Sequence, residues 1–563
     1  MVELSGARAL IESLKKEKVE IMFGIPGGAI MPVYDELKDS GIRHILARHE
    51  QCAAHMADGY ARVSGKTGVV IATSGPGATN LATGIANAYL DSSPLVAVIG
   101  QVPVSLLGSD AFQEVDTPGI FNPITKYVFQ PLSPAEVPRD VKGAFYLAST
   151  GRTGPVVVDI PKDVQTGLAD MTFPSTVEVR GYVSFMPPDP VAVEKAAEII
   201  LNSERPIILA GGGVRKSGSS DLLLALAQYL ILPVTTTLMG KGSFPEDNPL
   251  ALGIIGMHGS YQANTAISEA DVILSLGVRF SDRSTMATPE FIKGKKIVHF
   301  DIDSTEINKN VEATHCVVGE LKTALTMMLD AIQKRSQRRE DSVWIKRTKQ
   351  LKEEYEGKVF GNNNKSFCAA NIVKKIRALL PSESILTTEV GQNQMWAQLY
   401  FRIKKPGFFI TSGGLGTMGF GFPAAIGAKA ARPDLPVVDI AGDGSFQMTN
   451  NSLATSVAEN LPVIVCILNN SSLGLVAQWQ RTFYNRRYFA TWLGHTPDFV
   501  QLAKAFGAEG RRVQSLEEFE EAFKEAMRNE ITTVIDIPIS PEEDVFPFVH
   551  SGNGLKDMMV DNE

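Results

Sequence analysis

Two apolar strands, one stopping at Gly442-Asp443-Gly444 and the other at Asn469-Asn470, constrain this chain most. The stretch reads PVVDIAGDGSFQMTNNSLATSVAENLPVIVCILNN. Strand, amphipathic helix, strand predicts a parallel pair joined by a crossover. Asp443 and Asn470 then emerge side by side at the carboxyl ends of two strands, the edge where open α/β sheets bind ligands. A carboxylate, an amide oxygen and a nearby backbone carbonyl at Ser472 are hard oxygen donors. They suit Mg²⁺ that also keeps phosphate and water ligands. The flanking glycines let the backbone approach a diphosphate closely. A Gly-Asp-Gly turn between core elements is the plain structural alternative.

At 563 residues the chain is long enough for about three domains. Its 44% hydrophobic and 21% charged residues are those of an ordinary globular protein. A net charge of −8 argues against nucleic acid as the main partner. No apolar run has bilayer-spanning length, so no membrane association is expected. The N-terminal MVELSGARALIESLKKEKVE reads as an amphipathic helix, not a signal or transit peptide. Cys52, Cys316, Cys368 and Cys466 lack metal or CxxC spacing and read as thiols of a cytoplasmic protein.

Strand and helix patterns alternate throughout, which predicts an α/β fold of three doubly wound parallel-sheet domains. Residues 1–182 carry HILA, GVVIAT, PLVAVIG and PVVVDIP; residues 190–340 carry RPIILAGGG, LPVTTTL, DVILSLGV and KKIVHFDID. Residues 365–545 carry ESILTTEVG, GFFITS, PVVDIAGDG, LPVIVCILNN and TTVIDIPI, and 546–563 form a tail. The linkers are the proline-rich FMPPDP and the charged, helical IQKRSQRREDSVWIKRTKQLKEEYEG. Glu50, in LARHEQCAAHMADGYAR, follows a short strand and opens a helix. On its residues alone it is either an N-terminal acid or a functional carboxylate.

The GDG…NN pattern resembles the cofactor motif of thiamin-diphosphate (ThDP) enzymes. RHEQ…GYAR, with IATSGPGATNLATGIANAYLDSSPLVAVIGQVP, resembles the acetohydroxyacid synthase (acetolactate synthase) large-subunit family. The likeness runs through almost the whole chain. It implies that 1–182 binds the pyrimidine of ThDP, 190–340 binds FAD, and 365–545 binds the diphosphate and Mg²⁺. Glu50 would touch the pyrimidine N1′ and activate the cofactor by sharing a proton with it. Gln113 and Lys126 fall in the substrate-side loop SDAFQEVDTPGIFNPITKYVF, and Lys162 corresponds to a channel lysine. Gly442, Asp443, Gly444, Ser445, Asn470 and Gln392 would hold the diphosphate end, with Asp443, Asn470 and Ser472 as metal ligands. Gly416 would receive the 4′-amino group on its backbone, and Met418 would prop the cofactor into a bent shape.

The resemblance makes Arg152, Gly211, Gly212, Thr237 and Leu238 flavin contacts, together with Met257, His258, Gly277, Arg279, Asp301 and Ile302. The middle stretch has no GxGxxG; glycine turns at strand ends carry the dinucleotide reading. GVRFSDR departs from the commoner GVRFDDR, and Glu389 and Asn393 replace Asp and His of TTDVGQHQMW. Trp479, in QWQ, would face the substrate. The implied reaction decarboxylates pyruvate and ligates the hydroxyethyl unit to a second 2-ketoacid. Pyruvate then gives 2-acetolactate and 2-ketobutyrate gives 2-aceto-2-hydroxybutyrate, with FAD in a structural role. The pyrimidine and diphosphate domains would come from different subunits, so a homodimer is the minimum unit. The family pattern admits a homotetramer and a small regulatory subunit.

Overall fold

Three six-stranded parallel sheets organise the computed structural model, which describes residues 2–336, 342–360, 366–404, 408–494 and 496–561. The first sheet runs in space Arg43–Leu46, Ile21–Gly24, Gly68–Ala72, Leu95–Gln101, Pro155–Pro161, Tyr127–Phe129. Another runs Phe409–Ile410, Ile385–Thr388, Val437–Gly442, Ile464–Asn469, Thr533–Pro538, Glu509–Arg512. Numbered within their own stretches, both have the order 2-1-3-4-6-5. The N- and C-terminal thirds are therefore two copies of one topology. The middle sheet runs Ala251–Ile254, Val234–Thr236, Pro206–Ala210, Val272–Leu276, Lys296–Asp301, His315–Val318. That is 3-2-1-4-5-6, the order that binds dinucleotides at its switch point.

Central strands such as Gly68–Ala72 and Pro155–Pro161 are apolar and buried on both faces, as helices covering both sides of a parallel sheet require. The strands without a sequence signal are short or polar. Glu509–Arg512 lies at a sheet edge with two exposed arginines, and Ile21–Gly24 is only four residues long. The N-terminal helix starts later than its amphipathic pattern suggests. Val2–Ser5 is a strand paired antiparallel with Leu168–Met171, and Ser5 Oγ caps the helix by accepting the Arg8 N–H. The crossover after Gly-Asp-Gly is not one helix but two pieces, Asp443–Phe446 and Ser452–Ala458. The Thr449–Ser452 run between them favours turns over helix interior, and Ser452 N–H closes one by donating to Thr449 O at 2.9 Å. The FMPPDP linker ends where Asp189 caps the helix Pro190–Leu201. Of the charged connector, residues 337–341 lie outside the described residues, and Val343–Tyr355 is helical as expected.

The helices Glu50–Ser64 and Gly421–Ala431 hold equivalent places, each between the second and third strands of its copy. They meet in backbone contact. A Cβ on Gly59 would lie 2.1 Å from Ala424 O, and one on Gly427 would lie 1.8 Å from Met56 O. Arg62 of the first helix is buried and pairs with Asp58 and Asp91, and it reaches across to Thr411 O at 2.8 Å. Gly427→Ala should destabilise the chain by about 1–3 kcal/mol or more, since neither backbone can yield without opening the crossing. Gly28→Ala is the control, because a methyl there meets nothing within 4 Å. Thermal unfolding of the two variants should separate them, with only Gly427→Ala lowering the midpoint.

Candidate cofactor and substrate sites

Asp443 and Asn470 stand where the sequence placed them. Gly442 pairs with Leu468, so the residues that follow leave neighbouring strands at one edge. Burial pushes the Asp443 carboxyl up to about 6, against backbone N–H groups that include that of Asn470. Its Oδ2 is buried and meets no hydrogen-bond partner among the described residues. Asn470 Oδ1 accepts the Ser472 N–H at 3.2 Å, which folds the Ser472 backbone back over the site. Met418 reaches over Gly444, its Cε 3.8 Å from where a Cβ would stand. Asn393 Nδ2 donates to Ile440 O at 2.9 Å beside Gly442. Glu389 does something else: its carboxylate accepts the N–H groups of Gly419 at 2.7 Å and Phe422 at 3.0 Å. It thus satisfies the start of the helix Gly421–Ala431 from below, and burial pushes its carboxyl up to about 7.

Glu50 is the first residue of its helix, but it is not the cap. His49 is, with Nδ1 accepting the Gln51 N–H at 3.1 Å. The half-buried Glu50 carboxylate accepts from Asn80 Nδ2 at 2.9 Å and faces Gly77. Gly75, at φ +58°, packs on the backbone of Gln113, itself at φ +59°. Glu50 and Gln113 are thus gathered around one turn. The Gln113 loop is anchored from beneath. Gln101 Nε2 donates to Val115 O and Thr117 Oγ1, both at 3.1 Å. It lies 3.4 Å from Asp159 Oδ2, to which Gln130 Nε2 donates at 2.7 Å. Burial pushes the Asp159 carboxyl up to about 7, although the Gln130 and Gln101 amides oppose this. Lys126 holds helix-end carbonyls, donating to Thr150 O at 2.9 Å. Lys162 is exposed at the start of the short helix Lys162–Thr166, just after Pro161, which pairs with Gln101.

A cavity of about 670 Å³ opens at the carboxyl edge of the middle sheet, walled by all three thirds of the chain. Gly212, Thr237, Leu238, Met257, His258 and Gly277 line its middle-sheet side. Arg279, Asp301 and Ile302 line the far end, and Arg152 comes from the first third. Gly416 and Trp479 close it from the last third. Gly211 is the turn behind the wall: its Cβ would lie 2.0 Å from Gly277 O. Only glycine permits that approach of two strand ends at the switch point. Arg152 is held by Asp303 at 3.0 Å and Glu306 at 2.7 Å. Burial pushes the Asp301 carboxyl up to about 7. Trp479 Nε1 is buried without an acceptor among the described residues. Lys216 escaped sequence reasoning, and Asp303 and Glu306 enter it only as part of the flavin-contact segment HFDIDSTEI, not as the partners of Arg152. Lys216 lines the cavity and donates to the carbonyls of Asp91 and Ser92, yet in VRKSG it reads as a surface cation. Neither Glu50 nor Asp443 lines this cavity.

Two copies of one sheet topology, each with an acidic site at its carboxyl edge, flank a dinucleotide-type domain; together they define an enzyme of the thiamin-diphosphate class. Family models agree. The N-terminal TPP binding domain of thiamine pyrophosphate enzymes matches residues 4–120, the central domain 193–328 and the C-terminal TPP binding domain 389–537. The chain belongs to the acetolactate synthase large-subunit family. It is 48% identical to a probable acetolactate synthase large subunit of Methanocaldococcus jannaschii, over 99% of this chain and 95% of the relative. It is 44% identical to the acetolactate synthase large subunit of Buchnera aphidicola, over 99% and 98%. Identity to that of Corynebacterium glutamicum is 42%, over 99% and 90%.

Asp159 gives the site a pH signature. Its folded value, about 7, is above its ordinary one near 3.8, so the native state keeps a proton that the unfolded chain releases. The stability this contributes is complete below the unfolded value and is lost as pH rises through about 7. Asp159→Asn should therefore gain stability relative to the parent on going from pH 5 to pH 8. Melting midpoints of both proteins at the two pH values check this, and a constant difference would refute it.

Proposed function

We propose that this chain is the catalytic subunit that decarboxylates pyruvate and joins the hydroxyethyl unit to a second 2-ketoacid, giving 2-acetolactate or 2-aceto-2-hydroxybutyrate. Near-full-length likeness to acetolactate synthase large subunits carries the reading. The residues fit the groups it needs. The unpartnered Asp443 Oδ2 and the Asn470 oxygen are hard donors suited to Mg²⁺. The glycine contact at the switch point, and a cavity with cations and an acid at one end, suit FAD. Bound ThDP supplies the carbanion chemistry that no side chain offers. Asp443, Asn470 and the Ser472 carbonyl hold the cation that neutralises the diphosphate. Glu50 holds or yields a proton at its carboxylate, with Asn80 fixing its direction. Gln113, packed on Gly75 at the turn that Glu50 faces, would offer its amide to substrate, and Trp479 would shape the wall against the second ketoacid. FAD is read as bound without turning over.

A homodimer in which each site draws on two subunits follows from the same family reading, and Glu50 and Asp443 both stand outside the lining of the large cavity. A tetramer, a small regulatory partner and a cytoplasmic setting are part of the same reading. Among the described residues, no helix is long and apolar enough to cross a membrane. The reading is tested by assaying acid-converted acetoin from pyruvate with and without ThDP, and by recording the visible spectrum of the purified protein. Yellow protein that is carboligase-active only with ThDP is expected. Flavin reduced once per pyruvate would make it an oxidase.

Glu50→Gln keeps size and hydrogen bonding and removes the charge. It should bind ThDP and Mg²⁺ yet lose about 10²–10⁴-fold in turnover. Near-parental turnover at saturating cofactor would clear Glu50 of a catalytic part. Trp479→Leu should lower the preference for 2-ketobutyrate over pyruvate as acceptor. One methylene in an apolar pocket sets the ceiling at about 10–200-fold. Product ratios from competing ketoacids at fixed pyruvate give the answer; an unaltered ratio returns Trp479 to a packing role.

A further inference from the structure

Asn470 must turn its carboxamide oxygen, not its NH₂ group, toward a cation, and nothing within the residue decides which way it faces. The nearby Ser472 N–H favours the oxygen on its own side, and the choice is enforced on the NH₂ side from further off. Asn470 Nδ2 donates to Gln392 Oε1 at 3.0 Å, so the oxygen points the other way, toward the Ser472 N–H. Gln392 is an amide with the same ambiguity. Its Nε2 donates to Gln478 Oε1 and to the Glu543 carbonyl, both at 3.1 Å. Gln478, fully buried, is a third amide. Its Oε1 accepts the Val545 N–H and its Nε2 donates to the Val545 carbonyl, both at 3.0 Å.

A backbone N–H can only donate and a carbonyl can only accept. Val545 therefore fixes Gln478, Gln478 and Glu543 fix Gln392, and Gln392 fixes Asn470. Reversing any one amide would set donor against donor and acceptor against acceptor in a place that water does not reach, and each such mismatch is costly. The chain folds tightly to make the connection. A Cβ on Gly474 would lie 2.1 Å from Gln392 Oε1 and 2.5 Å from Asn470 Nδ2, so only glycine can start the Trp479 helix there.

We infer that Gln392 and Gln478 form a polarity relay that orients the Asn470 amide from the backbone of residues 543–545, which makes both glutamines positioning residues of the metal site. The inference rests on the reading of Asp443 and Asn470 as metal ligands. Gln478 is fully buried and acts through Gln392.

Mn²⁺ is the probe, with its affinity for the full-length protein at saturating ThDP read by electron paramagnetic resonance. Asp443→Ala tests the underlying reading by itself: undiminished Mn²⁺ binding would show that the site is misplaced, whatever the glutamines do. In the parent, Gln392→Met should weaken Mn²⁺ about 5–10-fold and Gln478→Met about 2–5-fold, the loss of one and of part of one hydrogen bond. In an Asn470→Asp background both ends of the side chain are oxygen, so there is no polarity left to fix. There an oxygen faces Gln392 Oε1 and gains no support from it, so the same Met substitutions should not weaken the affinity by more than about twofold. A plain structural role would lower the melting midpoint and the affinity equally in both backgrounds. The relay is overturned if Gln478→Met leaves Mn²⁺ affinity unchanged in the parent, or if the losses are as large in the Asn470→Asp background. Should Gln392→Met fail to fold, Gln478→Met alone decides by the same comparison.

Discussion

Two helices touching backbone to backbone hold this molecule in register. Gly59 against Ala424 and Gly427 against Met56 bring the helices Glu50–Ser64 and Gly421–Ala431 closer than side chains would permit. Because the helices are equivalent members of two copies of one topology, the contact relates the copies as well as joining them. Everything at the carboxyl edges inherits that placement. Glu50 opens the first helix, and the carboxylate of Glu389 receives the first N–H groups of the second. A single crossing thus sets where the Glu50 carboxylate and the carboxyl edge of the last sheet can lie.

Beside this crossing sits a buried ionic knot. Arg62 pairs with both Asp58 and Asp91, and Asp91 accepts the Gly414 N–H at 2.7 Å. Lys216 of the middle domain donates to the Asp91 and Ser92 carbonyls. All three thirds of the chain therefore converge within one desolvated cluster next to the large cavity. Ion pairs taken out of water add little net stability, but breaking one is expensive. Such a cluster is better suited to fixing a unique arrangement of domains than to strengthening it. The cavity wall is built from the same segments, so its shape depends on that arrangement.

The parallel sheets, the strand–helix alternation and the position of Asp443 and Asn470 were legible because apolar runs end in glycine or amide residues at fixed places. The cavity contacts were legible only through family likeness. Gly211 and Gly277 look like any loop glycines until the structure shows them in contact. Polar edge strands such as Glu509–Arg512 carry no apolar signal, and the crossover after Gly-Asp-Gly breaks because Thr, Asn and Ser compete with the helix for its own backbone. Lys216 and the pairing of Asp303 and Glu306 with Arg152 were invisible because the partners lie far apart in sequence. So were the partners of Gln478, where the signal is not a residue type but the direction of a hydrogen bond.

The segment after the last strand, residues 541–549, gathers these threads. Asp544 pairs with the buried Arg481 on the helix that carries Trp479, and Pro541 O accepts from the same guanidinium at 3.0 Å. Phe548 stacks on His258 at the cavity wall, with ring centres 5.0 Å apart, and Val549 N–H donates to Met257 O at 2.8 Å. Glu543 and Val545 meet the Gln392 and Gln478 amides behind Asn470. One stretch of backbone therefore touches the amides behind Asn470, the helix that carries Trp479 and the wall of the large cavity. Its hydrogen-bonding groups are few and directional, so it cannot shift by one residue without mispairing at all three places. Such a segment transmits position rather than charge. A change at one of the three places then reaches the others through backbone that has only one satisfied register.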